Sequence, residues 1–466
     1  MENKSLSSIL DDIVKKSGFV FIGKIIGVAL TMVFTFIVAR FIGAEIYGKY
    51  VYIFSILSFF SIFIRLGLDN GILYFIPKLR SENKKEEIEN FITTTLFFVI
   101  IASIIVILFL RYFGAGWLST ILNKPEIYDG LRLMAPMLVL MGLQALIISI
   151  FKSYNSVKEF VFATNIIKPI TQSILIIIFA YVGYKFYGIV IAVSVGFILA
   201  IGFLLIKLRD KIEKLNFGLD YLNDYKKVVI YSAPIFLNGV VAFFIQKTDI
   251  FMIGYFLTNI EVGVYDVALK VGTLSVFILT SFNTLFAPRI SELYGKERMD
   301  QVEQLYKKIT NYVISITFFL FLMILIFNQE IMLIFGREFL IGSTALVIIG
   351  LGQIVNAGVG SAGYMNMMTG NSQYELYISS VAIFLNVGLN YLMIPTMGIN
   401  GAATASMLSN AFKNLGRLFF VWRDHKIHPY SKEMGQNLLK VALLGVLVFA
   451  FKIFIFDKIF YSFIQF

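Results

Sequence analysis

The sequence predicts an all-α polytopic membrane protein, built from two six-helix lobes in parallel repeat plus one or two extra C-terminal helices. Three observations predict this fold class. Of the 466 residues, 58% are hydrophobic and only 15% are charged. Apolar stretches recur along nearly the whole chain, and the second half of the chain repeats features of the first. A soluble protein of this length would need more polar surface than this composition provides.

The apolar stretches have the length of transmembrane helices, which need roughly 20 mostly apolar residues. Thirteen predicted spans follow one another in this order: Gly18–Ile42, Tyr47–Ile76, Phe91–Leu110, Leu131–Phe151, Ile166–Val182, Gly188–Ile206, Val228–Leu257, Glu261–Phe286, Ile309–Phe327, Thr344–Met368, Leu376–Pro395, Ile399–Val421 and Leu438–Phe456. Strands of a membrane barrel would be about 10 residues long and would alternate apolar with polar side chains. These stretches are apolar on every face, which favours helices.

Basic residues in the short loops predict the orientation, because lysine and arginine concentrate on the cytoplasmic side. With the N-terminus in the cytoplasm, 23 basic residues lie on that side and 8 lie on the outer side or at the outer helix ends. This distribution explains the net charge of +11 without nucleic acid. We therefore expect a multi-pass protein of the plasma or inner membrane with a cytoplasmic N-terminus.

An internal duplication relates the two halves. Phe21–Tyr50 matches Phe236–Tyr265 without a gap at an offset of 215 residues, and Pro77 finds Pro288 at an offset of 211. The repeated unit holds six spans, an even number, so both copies enter the membrane in the same sense. Parallel repeats of this kind are typical of transporters with a substrate site near the midplane.

The duplication sets the predicted domain boundaries. The N-terminal six-helix lobe covers residues 1–207 and the C-terminal six-helix lobe covers residues 228–422. A polar cytoplasmic loop, residues 208–227, joins them. Residues 423–466 form a second cytoplasmic loop and the extra C-terminal helix, with the number of helices after residue 422 left open.

Seven charged residues lie deep within predicted spans: the cations Lys24, Arg65, Lys247 and Lys270, and the acids Asp69, Asp249 and Asp266. A charge near the bilayer centre costs at least about 2.5–3.5 kcal/mol, so it usually faces a partner or a water-filled cavity. Arg65 with Asp69, and Asp266 with Lys270, are four residues apart and could form salt bridges within one helix. For Lys24 the alternative is snorkelling to the cytoplasmic face.

Polar side chains on the seventh span share one helical face. Asn238, Gln246 and Asp249 are spaced by 8 and 3 residues, so they either hold helices together or line a cavity. In the second case Asp249 could take a proton or Na⁺ and couple transport to an ion gradient. Asn386 and Asn390, four residues apart on the eleventh span, favour interhelical hydrogen bonds over a sugar site.

Five short stretches carry a resemblance to a known family: Asp249-Ile-Phe-Met-Ile-Gly-Tyr-Phe-Leu, Val262-Gly263-Val264-Tyr265, Ala287-Pro288-Arg289, Leu333-Ile-Phe-Gly-Arg-Glu-Phe339, and Ile394-Pro-Thr-Met-Gly-Ile-Asn-Gly-Ala-Ala403. The chain resembles the polysaccharide-transport branch of the multidrug/oligosaccharidyl-lipid/polysaccharide exporter superfamily, which includes O-antigen and lipid-linked oligosaccharide flippases. The resemblance covers nearly the whole chain. The commonest form of this family has fourteen helices, and this sequence lacks a convincing last span.

The resemblance implies a flippase. Such a protein moves a polyprenyl-diphosphate-linked oligosaccharide, an O-antigen or surface polysaccharide repeat unit of the kind used for lipopolysaccharide, from the cytoplasmic to the outer leaflet by alternating access through a cationic central cavity. Cations would neutralise the diphosphate. The predicted substrate-binding residues are Lys24, Arg65, Lys270 and Lys247, the predicted ion-coupling residues are Asp249, Asp69 and Asp266, and the predicted cavity-lining residues are Asn238 and Gln246.

Other functions are less well supported by the sequence. A multidrug exporter of the same superfamily would be expected to carry surplus acid in its cleft. A membrane glycosyltransferase or polymerase would need catalytic residues in a sizeable external loop, and a scramblase stays open. With no cysteine and two histidines, His425 and His428, in one loop, we expect no catalytic residues, no metal site and no cofactor beyond coupling to Na⁺ or H⁺. The expected partners are the lipid-linked oligosaccharide and membrane lipid, not nucleic acid. We expect a monomer, with polysaccharide polymerases or glycosyltransferases as candidate associates.

Overall fold

A computed structural model describes residues 6–210 and 222–456. Within these ranges the regular structure is helical and no strand occurs. Ten of the described helices are long and apolar enough to cross a membrane, and two bent helix pairs raise this number to 12. The predicted all-α, multi-pass membrane fold is therefore confirmed.

The chain divides into two compact units, Met1–Lys247 and Thr248–Phe466. The helices that begin in the first unit are α1 (Leu6–Ile42), α2 (Ala44–Arg65), α3 (Leu68–Ser81), α4 (Lys85–Phe109), α5 (Ala115–Ile121), α6 (Ile127–Met134), α7 (Met137–Ser153), α8 (Val157–Phe162), α9 (Lys168–Val182), α10 (Lys185–Leu208) and α11 (Leu222–Phe256). Two π-helical segments, Leu110–Gly114 and Ala163–Ile167, connect α4 to α5 and α8 to α9. The first unit ends inside α11, whereas the sequence places the lobe boundary in the loop 208–227, of which residues 211–221 lie outside the described ranges.

The second unit continues with α12 (Asn259–Gly272), α13 (Val276–Gly295), α14 (Met299–Phe335), α15 (Ser343–Val359), α16 (Ala362–Met368), α17 (Ser372–Met397), α18 (Ile399–His425) and α19 (Lys432–Phe451). A 3-10 segment, Arg337–Gly342, precedes α15, and a π-helical segment, Lys452–Phe456, follows α19. Most predicted spans fall on these helices with shifted ends, but Glu261–Phe286 covers both α12 and α13, and Thr344–Met368 covers both α15 and α16. The thirteen predicted spans exceed the 10 to 12 that the described helices allow.

The order of elements repeats between the two units. In the first series of helices the opening helix is α1, of 37 residues, and in the second series it is α11, of 35 residues, which begins in the first unit and ends in the second. In each, the next span is interrupted, between α2 and α3 in one case and between α12 and α13 in the other. The third span is 37 residues long in both units, Lys85–Ile121 and Met299–Phe335. This shared order supports the duplication seen in the sequence.

The break between α2 and α3 is a feature the sequence does not predict, because Tyr47–Ile76 reads as one continuous span. Leu66 adopts a left-handed conformation with φ of 47°, and its amide donates to Ile62 O at 3.0 Å, which ends α2. Gly67 follows with φ of 78°, and a Cβ there would lie 2.5 Å from Ser232 O on α11. Only glycine fits this position, since it tolerates both the backbone angle and the close approach.

Two helices near the C-terminus carry polar groups that contact neighbouring helices. α18 is not among the described helices that are apolar enough to cross a membrane, and its 27 residues include Lys413, Asn414 and Arg417. α19 packs on α14 through polar contacts. The Asn437 amide donates to Asn311 Oδ1 at 3.2 Å, and further along Lys452 Nζ donates to Ile326 O at 2.6 Å. Both contacts join residues 126 positions apart, so α14 and α19 run parallel.

Candidate functional site

A cavity of about 520 Å³ lies within the first unit. Its walls come from α2, α3, α7, α10 and the first part of α11. Most of the wall is apolar, but three charged side chains line it, namely Arg65, Lys247 and Asp69. The lining therefore contains two cationic side chains and one carboxylate.

Arg65 and Asp69 sit on either side of the break between α2 and α3. Arg65 Nη1 donates to Asp69 Oδ2 at 2.8 Å, and Arg65 Nε donates to Ser61 O at 3.1 Å. Each side chain of the pair keeps about a quarter of its surface exposed, 24% and 22%. Asp69 lies in the first turn of α3, where a negative charge is favoured. The predicted ion pair is present, but it bridges two helices instead of lying within one.

The guanidinium of Arg65 has hydrogen-bond donors that no described residue accepts. Arginine has five N–H donors and no acceptor. The contacts to Asp69 and Ser61 occupy one hydrogen on Nη1 and the one on Nε, which leaves a hydrogen on Nη1 and both on Nη2. A partly exposed guanidinium with donors facing a cavity can bind an oxyanion.

The α11 wall of this cavity partly matches the predicted polar face. Gln246 and Lys247 line the cavity, together with Gly239 and Ala242. Asn238 is exposed and does not contribute to the wall, because it lies on the neighbouring face of the helix. Of the predicted residues on this helix, Gln246 and Lys247 line this cavity and Asn238 does not. The substrate-binding role of Lys247 stays a prediction.

Two of the predicted substrate-binding cations lie elsewhere. Lys24 on α1 has an exposed side chain and is not part of the cavity wall. Lys270 on α12 pairs with Asp266, four residues earlier, at 2.8 Å between Nζ and Oδ2. Asp266 is 4% exposed, so this second predicted ion pair is largely buried within its helix. The substrate or ion roles of these three residues stay predictions.

A second polar site, in the second unit, is centred on Asp249. The Tyr265 hydroxyl donates to Asp249 Oδ2 at 2.7 Å, and the Ser406 hydroxyl donates to the same oxygen. Asn390 Nδ2 and Asn386 Nδ2 donate to Oδ1 at 2.9 and 3.3 Å. We call these five residues the Asp249 cluster. No salt bridge to Asp249 occurs in the part of the chain that the structure describes.

The asparagines in this cluster hold helices together, as the sequence predicted. Asn386 on α17 also lies 3.2 Å from the Ser409 hydroxyl and 3.3 Å from the Ser406 hydroxyl of α18. Asn390 is fully buried, and its Oδ1 has no hydrogen-bond donor among the described residues. A carboxylate next to an unpaired carbonyl oxygen is an arrangement that a small cation or a proton could occupy.

Some members of both sites were missed by the sequence reading. Gln144 of α7 and Phe197 of α10 line the cavity, and Ser406 of α18 contacts Asp249, yet none had a recognisable signal. Each approaches its site from a helix far away in sequence, so no spacing rule could have found it. Within the described ranges, no group of three or more His, Asp or Glu side chains could hold a metal ion.

Two proteins of known sequence resemble this chain. It is 23% identical over 266 residues to the probable low-salt glycan biosynthesis flippase Agl15 of Haloferax volcanii, a match that covers 57% of this chain and 55% of that protein. It is 21% identical over 425 residues to the capsular polysaccharide biosynthesis protein CapF of Staphylococcus aureus, covering 88% of this chain and 99% of the relative. The match thus spans only about half the length of the archaeal protein.

Solved structures share the fold. The lipid II flippase MurJ in an inward closed conformation superposes with a TM-score of 0.71 at 17% identity, covering 94% of this chain and 91% of that one. An inward-facing multidrug resistance MATE family transporter of the MOP superfamily gives a TM-score of 0.68 at 16% identity, covering 85% of this chain and 94% of that one. At these identities the likeness concerns the fold alone.

The sequence profile of one family extends across both units. It is described as "Polysaccharide biosynthesis protein" and matches residues 37–342, which is more than half of the chain. This match agrees with the resemblance drawn from the five sequence stretches and with the fold shared with the MATE family transporter and MurJ. The chain belongs to the polysaccharide biosynthesis protein family.

Proposed function

We propose that this protein is a flippase that moves a polyprenyl-diphosphate-linked oligosaccharide, such as an O-antigen or surface polysaccharide repeat unit, from the cytoplasmic to the outer leaflet by alternating access. The observation that carries the proposal is the cationic wall of the cavity in the first unit. The family, a relative named as a probable glycan biosynthesis flippase and a structural neighbour named as a lipid II flippase support the same class of substrate.

The chemistry of the cavity suits an anionic headgroup. A diphosphate cannot enter hydrocarbon without compensation of its charge. Arg65 offers unused donors in a planar fork that matches phosphate oxygens, and Lys247 adds a point charge. Asp69 holds the Arg65 side chain against the break between α2 and α3, so the guanidinium is positioned before the headgroup arrives. The rest of the wall is apolar and makes few polar contacts with the sugar, so the headgroup can leave the cavity again.

We further propose that Asp249 couples transport to a gradient of Na⁺ or H⁺. The four side-chain donors around its carboxylate orient both oxygens. A proton would replace one of these donors, while Na⁺ would use the carboxylate together with Asn390 Oδ1. Substituting Na⁺ by an impermeant organic cation at fixed pH distinguishes the two ions.

A second candidate is a multidrug exporter, and the fold shared with multidrug resistance transporters favours it. Organic cations would require a surplus of acid in the binding cavity, whereas the cavity in the first unit carries a surplus of base. The flippase is therefore the better supported of the two. Transport also suits the fold better than a glycosyltransferase or polymerase activity, because the segment 111–130 is mostly short helical structure.

The test is a translocation assay in proteoliposomes with lipid-linked oligosaccharides that differ in their sugars. Wild type should move at least one of them to the opposite leaflet. Arg65→Ala should lose this activity, and Arg40→Ala, which removes an exposed arginine at the end of α1, should keep it. Normal translocation by Arg65→Ala would remove the cavity from the mechanism. Lys24→Ala tests separately whether the exposed lysine of α1 contributes.

A further inference from the structure

The wall of the cavity in the first unit contains an amide whose donor has no acceptor. Gln144 on α7 is 7% exposed, and its Nε2 finds no hydrogen-bond partner among the described residues. The oxygen of the same amide has a partner, because Gln144 Oε1 accepts a hydrogen bond from Lys168 Nζ at 3.5 Å. A buried amide donor without an acceptor is costly. Gln144 lines the cavity with other atoms of its side chain, so an acceptor that enters the cavity would lie next to this amide.

Lys168 contacts this side chain and is not itself part of the cavity lining. Its ammonium lies 3.6 Å from the centroid of the Phe197 ring, and Phe197 lines the same cavity. No carboxylate pairs with Lys168 in the described part of the chain. The hydrogen bond to Gln144 is long, so most of the donor capacity of the ammonium is unused.

The local backbone explains why this lysine points inward. The five residues before it, Ala163–Ile167, form a π-helical segment, and Lys168 opens α9 with Pro169 in the first turn. A π turn takes up one extra residue and so rotates the following residues by about 100° relative to an uninterrupted helix. Sequence position alone suggests a lysine that snorkels from the end of a span. The π segment instead directs it to Gln144 and Phe197.

We propose that Gln144 and Lys168 form an anion-binding subsite of this cavity, separate from Arg65, which binds a phosphate or carboxylate oxygen of the transported headgroup. The inference rests on the proposed function and refines its substrate class. Arg65 is already paired with Asp69, whereas Lys168 is paired with no acid. The subsite therefore supplies positive charge that the cavity does not itself neutralise. Phe197 holds the ammonium in place through its ring face.

Two sources of the anion are compatible with this chemistry. One is the diphosphate of the lipid carrier, and the other is an acidic sugar, such as a uronic acid, next to it. Three probes separate them: farnesyl diphosphate, dodecyl glucuronide, and the neutral dodecyl glucoside. Binding is measured directly on the purified full-length protein in detergent, without requiring transport.

Lys168→Met keeps the length of the side chain and removes its charge. We expect it to weaken binding of at least one anionic probe by about tenfold, the scale of a charge-assisted hydrogen bond. The neutral glucoside should be unaffected, and Lys168→Arg should restore most of the affinity. Gln144→Leu should weaken the binding of the same probe by less than Lys168→Met does. Lys440→Met, which removes an exposed lysine of α19, is the matched control.

The outcomes separate the subsite from the flippase proposal. If Lys168→Met loses affinity for farnesyl diphosphate, the subsite binds the diphosphate of the carrier. If it loses affinity for the glucuronide, the subsite binds an acidic sugar. The subsite is overturned if wild type binds neither anionic probe more tightly than the glucoside, or if Lys168→Met, with an unchanged melting temperature, binds both as wild type does. If the subsite holds but wild type translocates no lipid-linked oligosaccharide, the flippase proposal fails and the subsite stands.

Discussion

The two polar sites of this protein handle charge in opposite ways. In the cavity of the first unit, Arg65 has one acid partner and several unused donors, and Gln144 has a donor without an acceptor. In the second unit, Asp249 is surrounded by four donors that fill both carboxylate oxygens. The first site is incomplete without a ligand, and the second is nearly complete.

This difference suits two separate roles, binding of an anionic substrate at the first site and binding of an ion at the second. A site with spare donors and net positive charge gains most from a bulky anion. A carboxylate held by hydroxyl and amide groups, with no salt bridge described for it, suits the small cation or proton proposed above. The single helix α11 carries Lys247 into the first unit and Asp249 into the second. The same helix thus contributes to both the proposed substrate site and the proposed ion site.

The largest expected effect is on translocation, and it tests whether Arg65 binds the headgroup or only forms an ion pair with Asp69. If Arg65 binds the headgroup, Arg65→Ala should reduce translocation by about 100-fold, the scale of removing one partner from a desolvated charge pair. The double variant Arg65→Ala/Asp69→Ala should stay equally inactive. Recovery in the double variant would mean that Arg65 serves only to neutralise Asp69, and the comparison between the two sites would break down.

The break that positions this pair can be tested through Gly67. Gly67→Ala forces a left-handed alanine and brings its Cβ into Ser232 O, which should cost about 2–4 kcal/mol in stability. Gly183→Ala is the matched control, because Gly183 has φ of 90° but nothing within 4 Å of a Cβ. It should cost only about 1 kcal/mol. The melting temperatures of the two variants in detergent measure these losses of stability. An equal decrease in melting temperature for both variants would refute the close approach at Gly67.

The Asp249 cluster should govern coupling more than binding. Asp249→Asn keeps the shape of the side chain but removes its charge. We expect the stimulation of translocation by an ion gradient to disappear, leaving a slow rate about tenfold below the driven one. The measurement compares translocation with and without the gradient in the same proteoliposomes. Ion dependence equal to that of wild type would exclude Asp249 as the coupling residue.

The smallest expected effect comes from a single donor to this carboxylate. Tyr265→Phe removes the hydroxyl that lies 2.7 Å from Asp249 Oδ2 and should lower stability by about 1 kcal/mol, the usual net value of one hydrogen bond. Because three donors remain, translocation should keep its ion dependence. A loss of coupling as severe as that of Asp249→Asn would mean that the hydroxyl itself takes part in ion binding.

Much of the fold was predictable because hydropathy and loop charge depend on local sequence. Most of the spans, the repeated order of helices and the pairs Arg65–Asp69 and Asp266–Lys270 follow from length and spacing. The break at Leu66 was not predictable, since leucine in a left-handed conformation has no sequence signal and Gly67 alone is a weak one. α18 was counted as a span although its polar residues face neighbouring helices.

The candidate sites were predicted only in part, for the same physical reason. Lys247, Gln246 and Asp249 were found because a deep charge or amide in a span is unusual. Their partners were not found, because Asn386, Asn390 and Ser406 lie 137, 141 and 157 positions from Asp249. Lys168 seemed able to reach the membrane surface, and only the π-helical segment before it shows why it turns toward Gln144.

The positive charge of the cavity in the first unit can be measured directly, because the chain contains no cysteine. A single cysteine at Ala145, which lines the cavity, would react with sulfonatoethyl methanethiosulfonate, an anion, or with its trimethylammonium analogue, a cation. A cysteine at the buried, non-lining Ser149 is the control and should react with neither.

The account predicts that the anionic reagent labels the cysteine at position 145 faster than the cationic one, relative to their rates with a free thiol. It also predicts that a lipid-linked diphosphate sugar slows this labelling, and that Arg65→Ala removes both effects. Faster labelling by the cationic reagent, or no protection by the substrate, would contradict an anion-binding cavity in the first unit.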